Sequence, residues 1–319
     1  MPLRRSLVTL VLLSLACGDD SSAGQPPAST SGSTTQTQSS GDDPSDTGID
    51  PTTSGATTIT TTGLDSSSDG PTSATEDDTG PMAGDCSQAL LCDDFEAHAA
   101  GAPPMAPWMV QEVQATVRVD ETRAFSGARS VRVTTERGGG SFRRGYMSVE
   151  GAPVFPLDGN VMWGRAMMWL DQTPAGSVHW THIQGEGEVE GMGFRALSRY
   201  GGQHMGRLMA NYETQGVSTD CWDHSDTVFP TGTWVCFEWR FNGPNDEMNL
   251  WVDGVALDDV TVIGMGEGCG GNDTGGHWYS PLYDTLRLGW EHYQMSDVAH
   301  DLWIDDVAID TDRIGCPAL

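Results

Sequence analysis

From residue 86 onward, apolar and polar residues alternate in short runs, and helical spacing is nearly absent. Runs rich in Val, Trp, Phe, Tyr and Thr recur between clusters of Gly, Pro, Asn and Asp. They predict strands at 116–120, 129–135, 161–170, 178–184, 193–199, 206–213, 234–241, 248–252, 255–262, 285–290 and 302–309. Gly243-Pro244-Asn245-Asp246 reads as a hairpin loop, and Asp253-Gly254 as a two-residue hairpin turn. The fold class that follows is all-β, a sandwich or jelly roll of two antiparallel sheets. Alternation then assigns faces. In 234–241, Val235, Phe237, Trp239 and Phe241 belong to the core, leaving Trp234, Cys236, Glu238 and Arg240 outside. In 180–184, strict alternation groups Trp180, His182 and Gln184 on one face. In 286–291, Leu286, Leu288 and Trp290 point inward, and Arg287 and Glu291 outward.

Several strands thus set Arg, Glu, His or Gln beside aromatic residues on the face away from the core. Aromatic planes stack on sugar rings and charged groups bond to hydroxyls, so this is the pattern of a carbohydrate-binding face. Trp180, Trp234, Glu238, Arg240 and Glu291 are the expected substrate-binding set.

The pattern vanishes before residue 86. Residues 18–85 are mostly Ser, Thr, Gly, Pro, Asp and Gln, with twelve acidic residues and no basic one. Apolar side chains are too sparse to offset the entropy of ordering, and a disordered acidic linker is expected. Ahead of it, Arg4 and Arg5 precede an apolar run from Leu7 to Ala16 that ends at Cys17. This resembles a bacterial lipoprotein signal, too short to span a bilayer. The expected organisation is a signal with its lipidated Cys17 (1–17), a linker (18–85) and one folded domain (86–319). The protein is then exported and lipid-anchored to a bacterial membrane, either the outer membrane or the cell surface.

Charge narrows the partners. The chain carries 45 acidic residues against 16 basic ones, a net charge of −29, and every basic residue is Arg. Nucleic acid is excluded as a partner, and the membrane is engaged through the lipid anchor alone. A monomer is expected. Six cysteines follow Cys17, namely Cys86, Cys92, Cys221, Cys236, Cys269 and Cys316. In an exported chain they suggest disulfides. Cys221 with Cys236 is the preferred local pair, with Cys86 or Cys92 reaching Cys316 if the first and last strands are neighbours.

Four segments occur in a telling order: Cys92-Asp93-Asp94-Phe95-Glu96, Phe125-Ser126-Gly127-Ala128-Arg129-Ser130, Trp251-Val252-Asp253-Gly254, and Leu302-Trp303-Ile304-Asp305-Asp306-Val307-Ala308-Ile309. On these, residues 92–316 resemble the core domain of the fungal cellulose-induced proteins and their bacterial relatives, concanavalin A-like jelly rolls similar in fold to alginate and glucuronan lyases. The resemblance implies polysaccharide as ligand. It also implies a structural calcium ion held by the carboxylates of Glu96 and of Asp305, with Asp306 as the second choice, and by the carbonyls of Ser126 and Arg129, a hard-oxygen set that suits Ca2+.

Three chemistries compete. Jelly-roll lyases use a Gln-Ile-His strand, which His182-Ile183-Gln184 resembles in reverse. Their Phe-Lys-Ala-Gly motif with following Tyr and Gln resembles Leu286-Arg287-Leu288-Gly289 with Tyr293 and Gln294. β-Elimination needs a group that stabilises the uronate carboxylate, a base and an acid. Gln184 with Arg144, Arg165 or Arg287 would serve the first need, and His182 and Tyr293 the others. A hydrolase would instead use Glu186, Glu188 and Glu190, which alternate between glycines. Residues two apart on a strand lie about 6.6–6.8 Å apart, more than the roughly 5–5.5 Å of a retaining pair. The third reading is binding without cleavage.

Overall fold

A computed structural model describes residues 84–138, 140–215, 219–264 and 278–317. The expected signal, Cys17 and the linker lie outside them. Sixteen strands form among the described residues: β1 (Leu91–Asp93), β2 (Met109–Val113), β3 (Ala115–Asp120), β4 (Ser130–Thr135), β5 (Arg143–Glu150), β6 (Val161–Leu170), β7 (Trp180–Glu188), β8 (Arg195–Gln203), β9 (Arg207–Thr214), β10 (Thr219–Val228), β11 (Trp234–Asn242), β12 (Glu247–Val252), β13 (Val255–Ala256), β14 (Val262–Ile263), β15 (Leu282–His292) and β16 (His300–Asp310). They make two antiparallel sheets. Sheet A runs β13-β12-β11-β6-β16-β4-β3, with β1 on β16 and β14 on β12; sheet B runs β10-β9-β8-β7-β15-β5-β2. This is the expected jelly-roll sandwich.

The inner faces meet in one apolar core. Phe237 and Phe241 of β11 pack with Ile183, Tyr200, Leu286 and Leu288 from sheet B. Tyr200 stacks on Phe241 across the sheets with ring centres 5.9 Å apart. The face assignments for β11 and for Leu286, Leu288 and Trp290 hold, since all are buried. Asp253 and Gly254 both take positive φ, 49° and 77°, as their two-residue hairpin requires.

Five elements differ from the sequence reading. β1, β2, β5 (RRGYMSVE) and β10 (TDCWDHSDTV) were not expected as strands, and in β5 and β10 polar residues occupy both parities. The single strand expected over 255–262 is two short strands around the 3-10 turn Asp258–Val260. Disulfides join Cys86 to Cys92 and Cys236 to Cys316. The expected Cys221–Cys236 pair is absent, because Cys221 faces the core of sheet B while Cys236 faces outward from sheet A. Cys221 is itself disulfide-bonded. The last strand does neighbour the first, but their cysteines pair elsewhere.

One close approach within sheet A depends on a glycine. Gly164 of β6 lies opposite Trp239 of β11, whose indole covers it. A Cβ added at Gly164 would come within 2.1 Å of that ring. We expect Gly164→Ala to lower stability by about 1–3 kcal/mol through overpacking. Urea denaturation of the variant would check this, and an unchanged midpoint would refute the contact.

Candidate active site on the outer face of sheet B

The two lyase-like motifs meet on sheet B, in a phase that a bulge in β7 decides. Thr181 pairs with Gly201 and Ile183 with Tyr200, so His182 is an extra residue with no partner on β8. A bulge of this kind resets alternation. Trp180 and His182 therefore face the core, Ile183 also faces the core, and Gln184 turns outward. Trp180 stacks on Trp290 at 5.4 Å inside the sandwich. His182 is fully buried between Phe229 and Phe237, at 5.2 and 5.0 Å, and neither ring nitrogen has a hydrogen-bond partner. These placements correct the expected grouping of Trp180 and His182 with Gln184, and neither residue can meet a ligand on the outer face.

What Gln184 joins is a row across the sheet. Residues in register, strand by strand, are Ser148, Arg287, Gln184, Arg199, Asn211 and Trp222. Strands lie about 4.8 Å apart, so the row runs across six strands in register, the length of several sugar rings. Arg199 holds its centre. Its Nε donates to Gln184 Oε1 at 3.2 Å, Nη1 to Asn211 Oδ1 at 2.5 Å and Nη2 to Glu213 Oε2 at 2.6 Å. Two of the five guanidinium N–H groups are left for a ligand. Gln184 Nε2 donates to Glu186, which also pairs with Arg287 at 2.7 Å. Asn211 Nδ2 donates to Asp220 and to the Cys221 carbonyl.

Two tyrosines and a histidine stand beside this row. Tyr146 donates to Glu291 at 3.1 Å, and Glu291 pairs with Arg144. The Tyr293 hydroxyl lies 3.1 Å from Thr181 Oγ1. Burial raises the pKa of both phenols, so both stay protonated. His179 stacks on Tyr293 with ring centres 4.3 Å apart, and its Nε2 has no partner. Burial, then the Arg199 charge, lower its pKa to about 3 and keep it neutral. His179, Asn211, Gln203, Met209, Asp220 and Trp222 line a depression of about 180 Å³.

Of the expected catalytic residues, Gln184, Arg287 and Tyr293 therefore share this face, and Glu291 of the binding set joins them. Arg165, Trp234, Glu238 and Arg240 do not, because β6 and β11 belong to sheet A. There Glu238 is buried under Arg313, accepting at 3.0 and 2.7 Å, and Arg165 donates to the carbonyls of Gly84 and Gly315. Arg240 pairs with Glu247, and Trp234 packs edge-on against Phe125. The hydrolytic triplet is also dispersed in role. Glu186 is neutralised by arginines, Glu188 ends β7, and Glu190 lies in the turn beyond it. Arg199, Asn211, Tyr146 and His179 were missed. The alternation Leu197-Ser198-Arg199-Tyr200 held the signal for Arg199, a charge placed between residues of a strand run.

The four expected calcium residues gather at one turn, 125–129. Asp305 Oδ2 accepts from the backbone N–H of Phe125 and Ser126, and Glu96 Oε1 from those of Ala128 and Arg129. Asp305 is fully buried without an ion pair among the described residues, and burial pushes its carboxyl up to about 7. Among the described residues no three His, Cys, Asp or Glu side chains group to hold a metal. A cation here would need the turn's carbonyl oxygens as well.

His182 yields a test. Burial lowers its pKa to about 3, against 6.5 in the unfolded chain. Its contribution to stability is whole above pH 6.5 and is lost as the pH falls toward 3. We expect His182→Leu to stabilise the domain by about 1 kcal/mol or more at neutral pH by removing unpaired buried nitrogens. The advantage should grow as the pH falls below 6.5, with ligand binding unchanged. Thermal melts of both proteins at a series of pH values would check this, and a loss of binding would restore His182 to the site.

Residues 102–312 match the family described as polysaccharide lyase-like, Cip1-like core domain. Among solved structures, the chain is similar to the cellulose-induced protein Cip1, at 25% identity over 71% of this chain and 100% of that one, with a TM-score of 0.52. It is also similar to an endo-β-1,4-glucuronan lyase from the fungus Trichoderma reesei, at 14% identity over 70% of this chain and 96% of that one, with a TM-score of 0.49. No curated protein matches. The chain belongs to the polysaccharide lyase-like family of Cip1-like core domains.

Proposed function

We propose that the outer face of sheet B binds a polysaccharide and cleaves it by β-elimination at a uronic acid residue. The observation that carries this reading is the row Arg287–Gln184–Arg199–Asn211–Trp222, with the His179–Tyr293 stack at its side. The two unused N–H groups of Arg199 supply charge-assisted hydrogen bonds for the uronate carboxylate, which gains charge as the C5 proton leaves. His179 is neutral with its Nε2 unpartnered, the state a base requires. Tyr293 keeps its proton and supplies it to the departing glycosidic oxygen. Trp222, the aromatic residue of the row, is exposed and offers a plane for stacking.

We expect Arg199→Lys to lower kcat/KM on uronate polymers by roughly a hundredfold, since a point charge replaces a fork of donors. The assay is the ultraviolet absorbance of the unsaturated uronate that elimination creates. Wild-type protein that is retained on a glycan yet produces no such absorbance on any uronate polymer would make the face a binding site alone. Reducing ends formed without that absorbance would indicate hydrolysis.

Two further parts of the reading lie away from this face. Cys17 carries the lipid that anchors the exported protein. A calcium ion sits at the 125–129 turn, held by Glu96, Asp305 and the carbonyls of Ser126 and Arg129. The support is the donor chemistry, with two carboxylates reaching one turn and one of them buried without a cationic partner. We expect millimolar Ca2+ to raise the melting temperature by several degrees and Asp305→Asn to abolish the increase. Equal melting curves with Ca2+ and with chelator would remove the ion.

A further inference from the structure

The charges along the outer face of sheet B say more about the polymer than its fold does. Every arginine on the row or beside it is already answered by a carboxylate. Arg144 pairs with Glu291, Arg287 with Glu186, Arg195 with Asp284 and Arg199 with Glu213. Among the described residues, three carboxylates then remain without an arginine of their own. Glu150 shares a depression with Glu186 and Asp284, Glu188 closes the end of β7, and Asp220 lines the depression beside Trp222. With the Arg207–Asp226 pair at the start of β9, the face thus holds eight carboxylates against five guanidiniums, within a chain of net charge −29.

A polymer with a carboxylate on every ring would set one negative charge over each successive register position. Such a chain meets a net-negative surface along most of its length. Charges of one sign at these separations repel, most strongly at low ionic strength. A single carboxylate lodged at Arg199 meets this cost once, and the guanidinium N–H groups not bonded to Gln184, Asn211 or Glu213 offset it there. Its neighbouring rings meet different chemistry. On the β10 side lies the depression of about 180 Å³ lined by His179, Gln203, Asn211, Asp220 and Trp222, which admits one sugar ring. Asp220 and the side-chain amides there accept and donate to hydroxyls, Trp222 stacks, and none of these groups offers a cation to a carboxylate. On the β15 side, Arg287 is held by Glu186 at 2.7 Å.

We infer that the substrate is a heteroglycan in which isolated uronic acid residues are flanked by neutral sugars, with a neutral ring in the depression beside Trp222, and that uniformly charged polyuronates are disfavoured. This rests on the proposed reading of the face as a polysaccharide site. The opposing carboxylates act as a filter by repulsion, separate from the contacts that hold the correct chain.

The test holds the backbone constant and varies its charge. Neutral polysaccharides of several linkages are each prepared unoxidised, lightly oxidised at the primary alcohol so that uronates are isolated, and fully oxidised. Binding of the full chain is measured by affinity electrophoresis at low and high salt, and cleavage by the ultraviolet absorbance of the product. For at least one backbone, the lightly oxidised form should bind best and be cleaved. Its fully oxidised form should bind at least about tenfold more weakly at low salt, with the difference shrinking as salt screens the face. A Glu150→Gln/Glu188→Gln variant should gain affinity for the fully oxidised polymer and keep its affinity for the lightly oxidised one. Tightest binding or fastest cleavage of the fully oxidised form would overturn the inference and leave the site reading standing. Failure of every polymer to bind would overturn both.

Discussion

The phase of β7 is the constraint on which the candidate site depends. A strand offers two faces, and β7 must fill the core with Trp180 and Ile183 while presenting Gln184 and Glu186 outside. Those needs have conflicting parity, since Trp180 and Gln184 are four apart and would share a face in a regular strand. One extra residue resolves the conflict. His182 is placed opposite no partner and accepts burial between Phe229 and Phe237. The two unpaired nitrogens of its ring are the local cost, and the outward Gln184–Arg199 contact is what the bulge makes possible.

The polar face that results is held by charge as much as by backbone pairing. Arg199 is almost wholly buried, and the two strands that flank it, β7 and β9, supply its three partners. A buried guanidinium left without them would carry a desolvation cost of several kcal/mol. The same contacts hold Gln184 and Asn211 in fixed orientations. Beside them, burial keeps His179 deprotonated and Tyr293 protonated. Burial is the first cause of both shifts, with the Arg199 charge also lowering His179 and the Glu291 and Glu213 charges also raising Tyr293.

Much of the fold was legible because alternation reports burial directly. β11 reads correctly residue by residue, since Val235, Phe237, Trp239 and Phe241 never break parity. The Asp253-Gly254 turn reads correctly because few other dipeptides tolerate two positive φ values in succession. The site was legible only in part. Gln184, Arg287, Tyr293 and Glu291 do share one face, but parity could not reveal the bulge at His182, which no local residue preference marks. Assignment of Trp234, Glu238 and Arg240 failed for a different reason. Their outward direction was right, but which of two sheets a strand joins is decided by pairing across the chain. Arg199 and Asn211 each lie on strands whose polar residues looked like ordinary solvent-facing positions, and only the register between β8 and β9 brings them together.

Residues 84 and 314–315, far apart in sequence, meet on sheet A. Gly84 N–H donates to the Ile314 carbonyl at 3.2 Å, and one nitrogen of Arg165 binds the carbonyls of both Gly84 and Gly315. A single arginine in the middle of β6 therefore acts as a clasp that closes the chain into a loop. The order in which the strands are synthesised is, in this respect, arbitrary. Joining residue 84 to residue 316 with a short peptide and opening the chain at the Asp253-Gly254 turn would permute the sequence while keeping every pairing of sheet B.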